Sequence, residues 1–103
     1  MKQFLIKYRF KDGSPEAWRR HIADFIAHLD SDPELKGRIS YRCMKELDSS
    51  DYYHLASTSD DEAAAILQSR EFFKLYSAET RRVAGGELSV LPLEIIGQTD
   101  YTV

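Results

Sequence analysis

A chain of 103 residues with 14 basic and 17 acidic side chains, net charge -3 and a pI of about 5.6 has no positive field to gather a phosphate backbone, so nucleic acid is not an expected partner. Its 43% hydrophobic and 30% charged residues exclude a disordered tail and fit one compact domain over 1–103, with a single modest core. No stretch approaches the ~20 apolar residues of a membrane helix, and Cys43 stands alone; a chain this small without disulfide staples is expected in the cytoplasm, with no membrane partner.

Gln3 to Lys11 alternate, with Phe4, Ile6, Tyr8 and Phe10 on one side and Leu5, Lys7 and Arg9 on the other, which predicts a strand ending at Asp12-Gly13. Ser14-Pro15 is a helix start, because the hydroxyl caps free amides and the proline ring already holds a helical φ. Trp18, Ile22, Phe25, Ile26 and Leu29 then recur along one stripe until Asp30-Ser31-Asp32-Pro33 ends the helix. After Gly37, a hairpin is predicted from Arg38 to Leu47 and Tyr52 to Thr58, turning at Asp48-Ser49-Ser50-Asp51.

Ser59-Asp60-Asp61-Glu62 has capping-box spacing and predicts a second helix carrying Ala63, Ile66 and Leu67 inward. Ser69-Arg70-Glu71-Phe72 reads as a fresh cap restarting it as a segment with Phe72, Phe73, Tyr76 and Val83 inward. Gly85-Gly86 closes that helix, and Glu87 to Gln98 forms a last strand in which Pro92 requires an edge or a bulge. The order βαββαβ predicts an α+β, ferredoxin-like fold with an antiparallel sheet and helices on one face. The other face carries apolar residues of both parities from the last strands, so a homodimer that covers it is expected.

The Lys36-Gly37 turn before Ile39-Ser40-Tyr41, the Asp51-Tyr52-Tyr53 segment, the Asp60-Asp61-Glu62-Ala63 helix start and Ser69-Arg70-Glu71-Phe72 together resemble the antibiotic-biosynthesis-monooxygenase-like proteins of the dimeric α+β barrel superfamily. The resemblance implies a dimeric barrel with a ligand cavity in each subunit and cofactor-independent oxygenation of phenolic or quinol-type molecules. It also covers haem degraders, whose site is made by a strand asparagine, a helix tryptophan and a helix histidine. Here Ile6, Ile66 and Tyr76 occupy those places and the chain contains no asparagine, so haem degradation is not expected. The tryptophan many relatives carry before the second helix is Thr58.

His21, Asp24 and His28 have helical spacing, but seven residues separate the two histidines by about 10.5 Å along the axis, too far for one ion. They are expected at the boundary of the apolar stripe, and no metal is assigned. His54 shares its strand parity with the small Ala56 and Thr58. If that parity faces the helices, His54 is the candidate base that takes a proton from a phenol; otherwise it lies at the dimer interface or surface. Tyr8, Tyr41 and Tyr76 are candidate substrate-binding hydroxyls, although aromatic residues at such spacing more often only fill a core. No phosphate loop, Cys/His array or nucleophile turn is present, so no cofactor is expected. The function read from the sequence is a cofactor-independent monooxygenase-like protein for an aromatic or quinol-type small molecule; the alternative is a binding protein without catalysis.

Overall fold

The computed structural model describes residues 2–58 and 60–101. The elements follow in the order β1 (Lys2–Arg9), α1 (Pro15–Ser31), β2 (Ser40–Lys45), β3 (Asp51–Thr58), α2 (Asp61–Ser69), α3 (Glu71–Val83) and β4 (Leu88–Glu94). All strand pairs are antiparallel and the sheet runs β2-β3-β1-β4, the ferredoxin-like order, with the second helical crossover divided in two.

β1 and β2 are shorter than the alternation predicts because their flanking amides bond elsewhere. Beyond β1, the Lys11 and Asp12 N–H groups both donate to the Val83 carbonyl, at 2.7 and 3.1 Å. Before β2, the Arg38 N–H donates to the Leu35 carbonyl in a turn, and after it the Glu46 N–H donates to Asp51 across the hairpin. β4 lies at the sheet edge, paired with β1 alone, and Pro92 stands there opposite Phe4, where a missing N–H is tolerated.

Helix ends confirm some predicted caps and correct others. The Ser14 hydroxyl accepts from the Ala17 N–H at 3.3 Å, with Pro15 opening α1. Ser59 lies outside the described residues. The cap of α2 is Asp60, whose carboxylate accepts from the Ala63 N–H at 3.1 Å. Ser69 does not restart the helix either: its hydroxyl donates to the Ile66 carbonyl, and Arg70 is both the last cap of α2 and the first of α3. The Arg70 guanidinium reaches across to Asp32 at 2.9 Å and Glu34 at 2.6 Å, fastening the α2–α3 break to the end of α1. That guanidinium, with the Glu34 amide, holds the Asp32 carboxyl below its usual range.

Register fixes the two faces of the sheet. Phe4, Ile6 and Tyr8 stand beside Ala56, His54 and Tyr52 on one flank and Pro92, Val90 and Leu88 on the other, and this parity meets the helices. Trp18, Phe25 and Leu29 of α1, with Tyr76 and Val83 of α3, close over it. The opposite parity brings Leu5, Leu55 and Leu91 into one row, next to Met44, Tyr53 and Leu93. No helix covers that row, and Met44, Leu91 and Leu93 are exposed.

A loop residue that the sequence pattern did not mark belongs to the core. Leu35, in the turn after α1, is 1% exposed; the Leu35 N–H donates to the Asp32 carbonyl, which ties its backbone to the end of the helix. Leu35→Ala is expected to lower stability by about 2–4 kcal/mol through lost burial and the cavity left behind, measured by urea unfolding with an unchanged slope.

Candidate functional site

β1 and β3 place Tyr8 and His54 on the helix-facing side, because Ile6 pairs with His54 and Tyr8 is two residues along the same parity. β2 adds Tyr41 and Cys43, paired with Ala56 and His54. α3 adds Tyr76 from its buried stripe, and α1 adds Trp18 one turn from its start. Three strands of the sheet and two helices therefore converge on one imidazole, which is 1% exposed.

A buried imidazole needs partners for both nitrogens, and this one has them. Nε2 lies 2.8 Å from the Tyr8 hydroxyl, to which the Trp18 indole N–H also donates at 2.8 Å. Nδ1 lies 2.6 Å from the Tyr41 hydroxyl and 3.3 Å from that of Tyr76. The Tyr41 and Tyr76 hydroxyls are 3.0 Å apart, and the Cys43 Sγ is 3.8 Å from that of Tyr76. Around this network the rings stack: Tyr76 lies between Phe25, at 3.9 Å with a 2° interplanar angle, and Trp18, at 5.5 Å and 13°.

Burial sets the charge state. It pushes the His54 pKa down to about 4, so the ring is neutral at pH 7. Burial likewise raises the Tyr8, Tyr41 and Tyr76 hydroxyls and the Cys43 thiol above their ordinary values. The whole cluster is uncharged, and His54 titrates well below the free imidazole value of about 6.5, which makes it a weak candidate for the base of the sequence reading.

Beside the cluster, between the sheet and the helices, lies a cavity of about 390 Å³. Its walls are mainly apolar, from Phe4, Ile6, Phe25, Leu67, Phe73 and Val90, while His54, Tyr41 and Tyr76 form its polar floor. Tyr8 does not line it; its hydroxyl is held behind His54, between the imidazole and Trp18. The four residues singled out in the sequence are thus brought together, three at the cavity and one behind it. Trp18 and Cys43 were not marked for the site. The period of α1 gives Trp18 an inward place, but no sequence pattern gives the indole N–H a partner.

His21 and His28 do not join this cluster. Both are exposed on α1, His21 tilted against Trp18 and His28 stacked on Phe72 at 4.8 Å. Among the described residues no group of three His, Cys, Asp or Glu side chains is arranged to hold a metal ion, and no helix is long and apolar enough to cross a membrane.

No family model matches the chain, and no curated protein matches it in sequence. In structure it is similar to SnoaB, a cofactor-independent oxygenase from Streptomyces nogalater, at 15% identity and a TM-score of 0.75 over 97% of each chain. It is also similar to Rv0793 from Mycobacterium tuberculosis, at 11% identity and a TM-score of 0.74 over 96% of this chain and 98% of that one. A third similar structure, a candidate antibiotic biosynthesis monooxygenase from Nitrosomonas europaea, has 9% identity and a TM-score of 0.75 over 94% and 100%. Antibiotic-biosynthesis-monooxygenase-like proteins recur among the solved structures with this fold, and at these identities the likeness is one of fold.

The depressed His54 pKa has a signed consequence for stability. Above pH 6.5 the ring is neutral folded or unfolded and contributes no pH dependence; between pH 6.5 and about 4 the unfolded chain binds the proton first. Stability is therefore expected to fall across that window, by about 3 kcal/mol from this group at pH 4. The check is urea unfolding at stepped pH together with the His54 ring-proton resonances, which should show no inflection between pH 5.5 and 8.

Proposed function

We propose that the protein binds an aromatic or quinol-type small molecule in the cavity between sheet and helices and acts on it as a cofactor-independent monooxygenase-like enzyme. The observation that carries this reading is the meeting, in one apolar cavity, of three polar tips from separate elements, His54, Tyr41 and Tyr76. Aromatic walls with a few converging polar groups are the common form of a small-molecule site. The fold shared with an oxygenase such as SnoaB supports the reaction class. In this reading the phenol loses its proton to water and binds as the aryloxide, and the hydroxyl of Tyr76, whose weakest tie is to the Cys43 sulfur, turns to donate to that oxygen and stabilises it. An ionised phenol yields an electron to dioxygen more readily than a neutral one. The lone thiol of Cys43 fits a reducing, cytoplasmic setting.

A second reading has a specific observation in its favour. His54 holds a proton only below about pH 4, because burial opposes its charged form, and a site whose one imidazole is such a weak base fits ligand binding without proton abstraction. Oxygen uptake separates the two. Hydroxylated naphthalenes and quinols are added at pH 7, with binding followed by the fluorescence of Trp18, which stacks on the cavity-lining Tyr76. Binding with protein-dependent oxygen consumption supports the enzyme, binding alone supports the carrier, and no binding by any of them overturns the cavity reading.

We also propose that the bare sheet face is covered by a second copy of the chain. The row formed by Leu5, Leu55 and Leu91, with Met44 and Leu93 beside it, is an apolar stripe that self-association by a two-fold axis would bury. Light scattering should give twice 11.9 kDa. Leu55→Asp, which sets a charge in the middle of that stripe, should shift the protein towards monomer or unfolded chain; a monomeric native protein at micromolar concentration would sink the dimer.

A further inference from the structure

One partner in the network behind the cavity floor has no freedom of role. The Trp18 indole N–H is a donor only, and it lies 2.8 Å from the Tyr8 oxygen. That oxygen is therefore an acceptor towards Trp18. The hydroxyl proton of Tyr8, in a side chain 5% exposed, then has His54 Nε2 as its acceptor, at 2.8 Å. Were Nε2 protonated instead, Tyr8 would accept twice and its own proton would be left in the core without a partner. No buried side-chain nitrogen or oxygen among the described residues lacks a partner, and an unmet buried donor is costly.

The rest follows in order. With Nε2 accepting, Nδ1 carries the ring proton and donates to the Tyr41 oxygen at 2.6 Å, with the Tyr76 oxygen at 3.3 Å beside it. Tyr41 then has two acceptors for its proton, the Tyr76 oxygen at 3.0 Å and the Cys43 sulfur, and the oxygen is the stronger. Tyr76 is left with the Cys43 sulfur at 3.8 Å, a weak acceptor. The chain of hydrogen bonds runs one way, from the indole to the cavity.

We infer that Trp18, acting through Tyr8 and His54, fixes this direction, so that the cavity presents the Tyr76 O–H as a donor and selects ligands with an accepting oxygen, a ring carbonyl or an aryloxide. The inference rests on the cavity reading above and names its ligand chemistry. Trp18 is a positioning residue, since it does not line the cavity. Its effect lies in the count of unmet groups. With the indole present, the Nδ1–H tautomer meets every partner and the Nε2–H tautomer leaves one proton unmet; without it, the first leaves a lone pair of Tyr8 unused and the second its proton, and the preference narrows.

Two measurements on the full chain test this. The first reads the ring-nitrogen shifts of His54 in 15N-histidine-labelled protein at pH 7. The native protein should show Nδ1 protonated and Nε2 bare, and Trp18→Phe should show a mixture of both tautomers. An Nε2–H ring in the native protein overturns the assigned direction, and an unchanged tautomer in folded Trp18→Phe overturns the part given to Trp18 in fixing it. The second measurement keeps Trp18 and uses 9-fluorenone, a flat aromatic ketone, against fluorene, the same skeleton without the oxygen. Fluorenone should bind several-fold more tightly than fluorene, with its carbonyl stretch lowered from the value in hydrocarbon solvent. Tyr76→Phe should remove both effects while leaving the His54 tautomer as it was. Bound fluorenone with an unshifted stretch overturns the selectivity and leaves the cavity reading standing. Failure of both compounds to bind overturns the cavity reading and the selectivity together, and the nitrogen shifts then decide the direction of the chain on their own.

Discussion

The burial of one imidazole governs how this molecule is put together around its cavity. His54 is 1% exposed in the middle of β3, where a polar ring is tolerated only if both nitrogens find partners. Those partners come from three other elements, Tyr8 on β1, Tyr41 on β2 and Tyr76 on α3. None of the three contacts is local in sequence, so the network closes only when the sheet has its register and α3 has docked. The same closure draws in Trp18 of α1 through Tyr8. Long-range packing and hydrogen-bond satisfaction thus select the same arrangement, which is how a small core comes to specify one structure.

The network also explains why the site is neutral. A charged imidazole would need a carboxylate close by, and the carboxylates that pair in this chain do so at its surface, Asp51 with Arg9, Asp60 with Arg38 and Asp32 with Arg70. With only hydroxyls and an indole around it, the ring loses more from desolvation than it gains from partners, and its pKa drops to about 4. The floor of the cavity is therefore neutral, with apolar walls beside it and the ring of Tyr76 stacked between Phe25 and, behind the floor, Trp18.

How much of this was legible in the sequence depended on whether the signal was local. The alternation of Phe4, Ile6, Tyr8 and Phe10 identified both β1 and its buried parity, and Ser14-Pro15 and Gly85-Gly86 marked helix ends through local backbone chemistry; Gly85 and Gly86 indeed have φ of 65° and 83°. In β3 both parities mix apolar and polar residues, so the side on which His54 lies was not readable until Ile6 was seen to pair with it. The three tyrosines were identifiable as aromatic residues at inward positions, but their convergence on one ring depends on register and on the docking of α3. The break at Ser69-Arg70-Glu71-Phe72 was legible, but the part Arg70 plays in it was not, because its partners Asp32 and Glu34 are 38 and 36 residues away. Leu35 was missed because a single apolar residue in a turn has no period.

The alternation of β1 links the two surfaces that a function would use. Ile6 and Tyr8 face the helices and the histidine, while Leu5 and Lys7 between them face the bare side, Leu5 beside Leu55 and Leu91 and Lys7 with its ammonium 5.9 Å from the centre of the Tyr53 ring. β3 does the same, with His54 inward and Tyr53 and Leu55 outward. A strand cannot shift by one residue without exchanging these sets, so the outer row and the cavity floor depend on one register, the one that brings Tyr8 within 2.8 Å of His54. The site and the open sheet face are in this sense two sides of one constraint. A change on the outer face that loosens the pairing of β1 with β3 acts on the cavity floor without touching any residue that lines it.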